Sequence, residues 1–545
     1  MIADPGTRCG ELYAPAVEVL PEDASDRGAA TDLESDGVAV EGACADPFVS
    51  SREQLETMLG WLSDGETDGL EHSQLEERLQ ADGRELLRRM LEDKLELRAF
   101  REQRLEGVAC SAGVVRAAVE PGHERVLSSV FGQVTVGRQA YRRRGCQNLY
   151  LADAQLNLPR ERPSHGTRRL AAVESSKGSF EEATEQVREI TGLEISKRQV
   201  EELARAAAVD FDAFYASQAS TAVEQDDDSD DDVLVISCDG KGIVMRSDGL
   251  RPATAAAAQR AQPKLRTRLS RGEKPNRKRI AEVGAVYEVK PRPRTGEEVL
   301  ASSAEKTVPA PKAKRKLLTA SVVCDAATVV GQVFDEAERR DPQHQRTWVA
   351  LVDGNNHQID RITAEAKARS IKLTIVIDLV HVLEYLWGAC WSFFNEGDPA
   401  AERWVHEKAL AVLEGKASIV AASIRRKATR LDLDTDKRAK ADRCADYLHN
   451  KAPYLDYPTA LRNGWPIATG VIEGACRHLV KDRMDRTGAR WGLQGAEAVL
   501  KLRALRSNGD FDSYWRFHLA QEQRRVHKTR YANGVIPQGK GRPSR

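Results

Sequence analysis

Three acids stand where a fold could hold them rigidly. Asp239 follows the apolar run Val233–Ser237 and is flanked by Gly240 and Gly242. Asp353 closes a second apolar run, Trp348–Val352, and precedes Gly354. Glu473 lies in Gly470–Met484, with Arg477 and Lys481 one and two helical turns further on. A carboxylate at the end of a buried strand is costly unless it is paired or used, and glycines beside it let the backbone turn and a ligand approach. Three acids on separate elements suit a pair of divalent ions. Mg²⁺ prefers oxygen ligands and keeps several waters, and two ions about 3.5–4 Å apart can activate an attacking oxygen and stabilise a leaving one. Asp239, Asp353 and Glu473 are thus candidate ligands for two Mg²⁺ or Mn²⁺ ions in a phosphoryl-transfer site. The plainer readings are an Asp-Gly turn after each strand and i,i+4 ion pairing along the Glu473 helix.

A fourth constellation, Asp378-Leu379-Val380-His381, puts an acid at the end of another apolar run and a histidine one turn into the next helix. His381 could bond a scissile phosphate or orient a carboxylate; the plainer reading is a capping aspartate with a satisfied histidine. Asp378 rivals Asp353 as the second ligand. Asp353 is preferred because its strand is expected beside that of Asp239.

Strands are read at Val233–Ser237, Ile280–Val289, Leu317–Val323, Val349–Val352 and Leu373–Ile377, with helices near Ala326–Arg340 and 358–370 between the last three. The order β-β-β-α-β-α-β, then helix, is that of an RNase H-like fold: an α/β, mixed five-strand core in which the first and fourth strands are neighbours. From Val380 to about Asp456 the pattern is helical, with Trp387, Trp391 and Trp404 on apolar faces, so an all-α insertion separates the fifth strand from Glu473.

The region before the core is read as mainly helical and DNA-binding. Leu86, Leu87, Met90, Leu91, Leu95 and Leu97 form an apolar stripe for packing or self-association. Val126–Tyr141 alternates like a hairpin and is followed by Arg142, Arg143 and Arg144. Ser179 with Glu182 forms a capping-box pattern, and Ser196 caps a second helix after Gly192, which fits a helix-turn-helix. Its second helix opens with Lys197, Arg198 and Gln199, where such motifs present side chains to base edges. Arg483, Arg486, Arg490 and Trp491 extend the basic surface beyond Glu473, with Trp491 placed to stack on a base.

Charge is uneven along the chain. Residues 1–50 hold 11 acidic and 2 basic side chains, whereas residues 477–545 hold 16 basic and 6 acidic. That suits a polyanion partner at one end and a solvated acidic tail at the other. The nine cysteines include no CxxC pair, which argues against a zinc ribbon and a disulfide framework and for a reducing compartment. The most apolar stretch, Ile371–Trp387, is interrupted by Asp378, His381 and Glu384, and the N-terminus lacks a signal pattern. A soluble intracellular protein with no membrane partner is expected.

The motifs SCDGKG, ALVDGNN, IDLVHVLEYLW and GVIEGACRHLVKDRMDRTGARWGLQGAEAVLKLRALRSNGDFDSYW resemble bacterial insertion-sequence DDE transposases of the ISKra group over most of residues 130–520. The resemblance implies that Asp239, Asp353 and Glu473 are the catalytic triad and that Asp378 and His381 form the D-x-x-H element of such enzymes. It implies metal-dependent cleavage of double-stranded DNA at terminal repeats, 3′-hydroxyl strand transfer to target DNA, and a homodimer or larger assembly on DNA. The location would be cytoplasmic, at the nucleoid when DNA-bound. SFEEATEQVREITGLEISKRQV resembles the DNA-binding helices of the family. Relatives carry paired cysteines near Tyr141–Tyr150; the single Cys146 here argues against a zinc-supported module. A structure-selective nuclease without strand transfer, or an inactive DNA-binding relative, are the alternatives.

The expected divisions are an acidic disordered tail (1–50), a helical segment (51–120), a β-module with helix-turn-helix (121–223), a core (233–396) with a basic loop (247–279), the helical insertion (397–468), the final glutamate helix (469–508) and a basic tail (509–545). The acidic run 224–232 marks the boundary before the core.

Overall fold

The computed structural model describes residues 46–219, 232–261, 265, 267–268, 270, 277–302, 308–486 and 488–538. Most of the acidic tail, the acidic run before the core, much of the basic loop and the last seven residues lie outside the described residues. Contacts divide the chain at Arg101 into two units.

In the first unit, α1 (Val49–Leu62) and α2 (His72–Arg101) pair as a hairpin. Asp93 accepts hydrogen bonds from the Ser51 backbone at 3.0 Å and hydroxyl at 2.7 Å, and Trp61 Nε1 donates to Asp82 at 2.9 Å. The second unit opens with β1 (Val108–Ala109), β2 (Val115–Arg116), β3 (Ala118–Ser129), β4 (Gly132–Arg142) and β5 (Leu149–Tyr150). Strands therefore begin before residue 120, earlier than the sequence pattern suggests, and the hairpin is longer than Val126–Tyr141. Helices α3 (Leu151–Gln155), α4 (His165–Lys177), α5 (Phe180–Thr191), α6 (Lys197–Ala207) and α7 (Phe211–Ala219) follow.

The central sheet is built from β6 (Val233–Val244), β7 (Lys278–Val289), β8 (Ala313–Ser321), β9 (Trp348–Val352) and β10 (Leu373–Ile377). Among the described residues its order is β10-β9-β6-β7-β8. The first three strands in sequence pair antiparallel, and β6, β9 and β10 run parallel. Short helices α8 (Pro252–Arg260) and α9 (Gly296–Leu300) lie in the β6–β7 and β7–β8 connections; the first of these gives helical structure to part of the stretch expected as a loop. The parallel strands are joined by crossovers through α10 (Ala326–Arg340) and α11 (Asn356–Ala368). Crossover helices cover a parallel sheet and bury its strands on both faces, which is why β9 reads WVALV with every residue buried.

Two features of the sheet correct the sequence reading. β6 does not stop at Ser237 but runs through Asp239 to Val244, with Gly240 paired to Glu282 and Gly242 to Ile280. Those glycines are ladder positions, not a turn: a Cβ on Gly240 would lie 2.7 Å from Ile280 Cγ2. On β7, Gly284 serves α10, because a Cβ there would run into Val333 and Thr319.

After β10 the chain is helical through α12 (Leu379–Cys390), α13 (Pro399–Leu413), α14 (Ala417–Arg430), α15 (Thr435–Asn450) and α16 (Tyr457–Arg462). It returns to the sheet in α17 (Gly470–Ala475), a π-helical stretch at Cys476–Lys481, and α18 (Asp482–Met484), then ends in α19 (Leu493–Asn508) and α20 (Phe511–Glu522). Of the three tryptophans expected on apolar faces, Trp404 is buried, whereas Trp391 is 39% exposed. The tail expected beyond Asn508 is folded to residue 538. Phe511, Tyr514 and Trp515 share an apolar cluster with Ala204, Phe211 and Leu502, and Tyr531 packs with Val108, Tyr141 and Leu149. Aromatic residues spaced through the basic run bury it against the fold.

Replacing Gly284 by Ala should overpack the sheet–α10 contact and cost about 1–3 kcal/mol; urea unfolding reads the loss, and Val333→Ala in the same chain should recover part of it.

Candidate active site

The pairing register puts three aspartates on one level. β6 and β9 pair Ser237 with Leu351, the last pair of that ladder, and Asp239 and Asp353 each follow two positions beyond it. β9 and β10 pair Val352 with Ile377; one position further, Asp353 stands beside Asp378. The last step is held by the Asp378 N–H donating to Val352 O at 2.9 Å. The three acids thus follow the ends of the two parallel ladders, a row past the carboxyl ends of β9 and β10 and within β6.

Each acid has different surroundings. Asp378 is fully buried and caps α12, accepting from Val380 N at 2.8 Å and from the Thr469 hydroxyl. Thr469 also lies 3.2 Å from Glu473 Oε1. Asp239 accepts from Gly240 N at 2.6 Å and from the Cys476 thiol at 3.2 Å. Burial, then the charge of Asp239, pushes the Cys476 thiol pKa upward, so it stays a protonated donor. Burial likewise raises Glu282, which pairs with Gly240 across the β6–β7 ladder, and the charge of neighbouring Asp239 adds to the effect. Asp353 accepts from Asn355 N at 2.8 Å while Tyr447 donates to its carbonyl at 3.2 Å, so it also performs the turn role expected of an Asp-Gly pair.

Ligand atoms of Asp378, His381 and Glu473 lie within 4.8 Å of one another, and this trio could hold a metal ion. Asp239 and Asp353 are not drawn into that group. His381 bonds Glu384 at 3.1 Å. Burial alone would lower its pKa, but the bond to Glu384 and the charges of Asp378, Glu384 and Asp353 outweigh it and raise it. Two carboxylates and an imidazole fit a divalent cation: Mg²⁺ would use the carboxylate oxygens and water, and Mn²⁺ tolerates the imidazole as well. Asp378 keeps free lone pairs despite its two hydrogen bonds, because an ionised carboxylate has about four acceptor sites.

The Glu473 helix departs from ideal spacing. The π-helical stretch pairs residues five apart, and Arg477 meets Asp482 at 3.9 Å rather than Glu473. The expected single stripe of Glu473, Arg477 and Lys481 is therefore interrupted, although Arg477 and Lys481 are exposed.

Of the remaining DNA-binding candidates, Lys197, Arg198, Gln199 and Arg490 are exposed. Both capping boxes are formed, at Ser179–Glu182 and Ser196–Gln199. Lys197 pairs with Glu181 at 2.6 Å and Arg198 with Glu202 at 3.0 Å. Arg483 and Trp491 must be reassigned. Trp491 is 5% exposed, donates to Met484 O at 3.0 Å and packs edge-on against Phe180. Arg483 is buried between Phe180 and Trp491 and donates to Ser175 O at 3.1 Å. Both are committed to the interior; the apolar neighbour Phe180, far upstream in the sequence, supplies the pocket that local sequence could not reveal. Arg503 donates to Leu479 O at 2.9 Å and also to the carbonyls of His478 and Ser176, tying α4 and α19 to the π-helical stretch.

Sequence reasoning marked Thr469 only as the start of a helix and passed over Cys476. Both are first identified by what they donate to, and their neighbours in sequence carry no sign of it.

Fold and site together define a mixed α/β protein with a row of sheet-borne acids, a helix-borne glutamate and a candidate divalent-metal position. A family model described as an uncharacterised protein family (UPF0236) matches residues 66–253, a stretch that includes Asp239. None of the curated proteins matches the chain. Among solved structures it is similar to the Drosophila P element transposase strand transfer complex, at 10% identity and a TM-score of 0.22, over 65% of this chain and 79% of that one. No helix among the described residues is long and apolar enough to cross a membrane.

Two outcomes are expected. Asp378→Asn and Glu473→Gln should each weaken Mn²⁺ binding, measured by titration calorimetry, at least about tenfold, and Thr469→Val by a similar factor through loss of the shared donor. Trp491→Ala should cost about 3–5 kcal/mol in urea unfolding.

Proposed function

We propose that this chain is a DDE transposase of the ISKra group, cutting double-stranded DNA at terminal repeats and joining the freed 3′-hydroxyl to target DNA. The observation that carries this reading is that Asp239, Asp353 and Asp378 follow the ends of the parallel β6–β9 and β9–β10 ladders, with Thr469 bonded to both Asp378 and Glu473. The strand order supports it, because a first strand flanked by an antiparallel second and a parallel fourth is the arrangement of an RNase H-like core. The sequence motifs around the acids supply the family resemblance.

Asp239, Asp353 and Glu473 would hold two Mg²⁺ or Mn²⁺ ions, with Asp378 and His381 beside them. Bound there, the ions supply activation of the attacking oxygen and stabilisation of the leaving one. The protein's own contribution is placement. β6, β9 and β10 fix the aspartates on a buried sheet. Thr469 orients Asp378 and Glu473 together, and the Cys476 thiol orients Asp239. His381, with its raised pKa, offers an N–H to a phosphate oxygen. Positioning and fixed charge account for most of the rate in such chemistry. Lys197, Arg198 and Gln199 would read end DNA in the major groove, and Arg477, Lys481 and Arg490 would contact its backbone. Joining two ends calls for a homodimer or larger assembly on DNA.

The test is cleavage and strand transfer on DNA carrying the element's own ends, in Mg²⁺ or Mn²⁺. Joined products should form with wild type, and Asp239→Ala, Asp353→Ala and Glu473→Ala should each lower the rate by about 10²–10³ or more while DNA binding persists. An inactive Asp378→Ala beside an active Asp353→Ala would move the second ligand to Asp378. Cleavage without joining would make the protein a nuclease, and binding alone would remove the enzyme reading.

A further inference from the structure

Beside the acid row lies a cleft of about 550 Å³ whose two walls carry opposite charge. One wall is the sheet end and α12, with Asp353, His381 and Glu384; the other is α15 of the helical insertion, with Lys440, Arg443 and Tyr447. These three α15 residues recur at helical spacing and so share one face. Tyr447 anchors that face: its ring stacks on Tyr385 with centroids 3.9 Å apart, and its hydroxyl donates to Asp353 O. Lys440 and Arg443 are exposed, and among the described residues neither has an ion-pair partner. Their neighbours differ: Lys437 pairs with Asp434, and Arg438 with Asp442 at 3.0 Å.

Two cations held over a row of acids, yet not paired with them, suit a ligand that is anionic toward α15 and meets the acids through divalent ions. A phosphodiester backbone has that character. We propose that Lys440 and Arg443 grip the DNA strand next to the scissile phosphate, so that the insertion is a second wall of the substrate channel. This rests on the transposase reading for the identity of the strand but locates a contact that reading does not contain. Lys440 and Arg443 act as positioning residues. Each neutralised phosphate contributes about 0.9 to the slope of log affinity against log salt.

The experiment measures binding of the full chain to a short fluorescein-labelled duplex of arbitrary sequence across a salt series, with Ca²⁺ replacing Mg²⁺. Lys440→Ala with Arg443→Ala should make the slope shallower by about 1–2. Lys440→Arg with Arg443→Lys should restore it, and Lys437→Ala on the same helix should leave it unchanged. Restoration by the charge-conserving pair separates lost contact from lost folding. An unchanged slope in the double alanine variant, or no restoration, overturns the proposal. The transposase reading fails separately: wild type that binds with the expected slope difference but never cleaves end DNA keeps the cleft contact and loses the reaction, whereas joined products with an unchanged slope keep the reaction and lose the contact.

Discussion

Asp378 sits at the end of β10 with no exposed surface, and a carboxylate so placed must find donors or a cation. It finds the Val380 N–H of α12 on one side and the Thr469 hydroxyl on the other. That second bond joins the end of the sheet to a helix that begins after the whole helical insertion has been traversed. Because Thr469 also reaches Glu473, the same threonine fixes where the insertion must end for the acids to meet. Tyr457 reinforces the closure by donating to Ile377 O at 2.9 Å, one residue before Asp378. The exit of the insertion is pinned at this point.

Much of the sheet was legible because buried parallel strands leave a clear mark: short, β-branched runs bounded by polar residues. α10 and β10 have the limits that periodicity and apolar length indicate, and β9 differs by one residue. The first strand was read too short because Asp239, Gly240 and Gly242 look like a turn in isolation. Their place in a ladder depends on Glu282 and Ile280 of the next strand, which no local pattern reveals. The same limitation affected Arg483 and Trp491. A basic run with one tryptophan reads as a nucleic-acid surface until Phe180 is brought against it. The acids were easier to find than the groups that hold them, since an aspartate after an apolar run is conspicuous and a threonine or cysteine donor is not.

The helix pair α5–α6 is integrated with the core. Arg486 reaches Glu182 at 2.6 Å, so the acid of the first capping box also holds the segment after Glu473. Arg503 spans the carbonyls of α4 and of the π-helical stretch. A π-helical stretch pairs residues five apart; here the Arg503 guanidinium of α19 fixes it, bonded also to Ser176 O of α4.

The shared cluster of α4–α7 with α19 and α20 has a consequence for synthesis. Ala172, Ala204, Phe211 and Phe214 are buried by Leu502, Leu505, Tyr514 and Trp515, which are synthesised only after the sheet and the insertion. At about 5–20 residues per second the early helices wait, with apolar faces uncovered, for roughly tens of seconds. Chains cut short within the sheet or the insertion lack the residues that cover those faces. The early helices thus complete their packing only in a chain that also carries the whole sheet and the Glu473 segment.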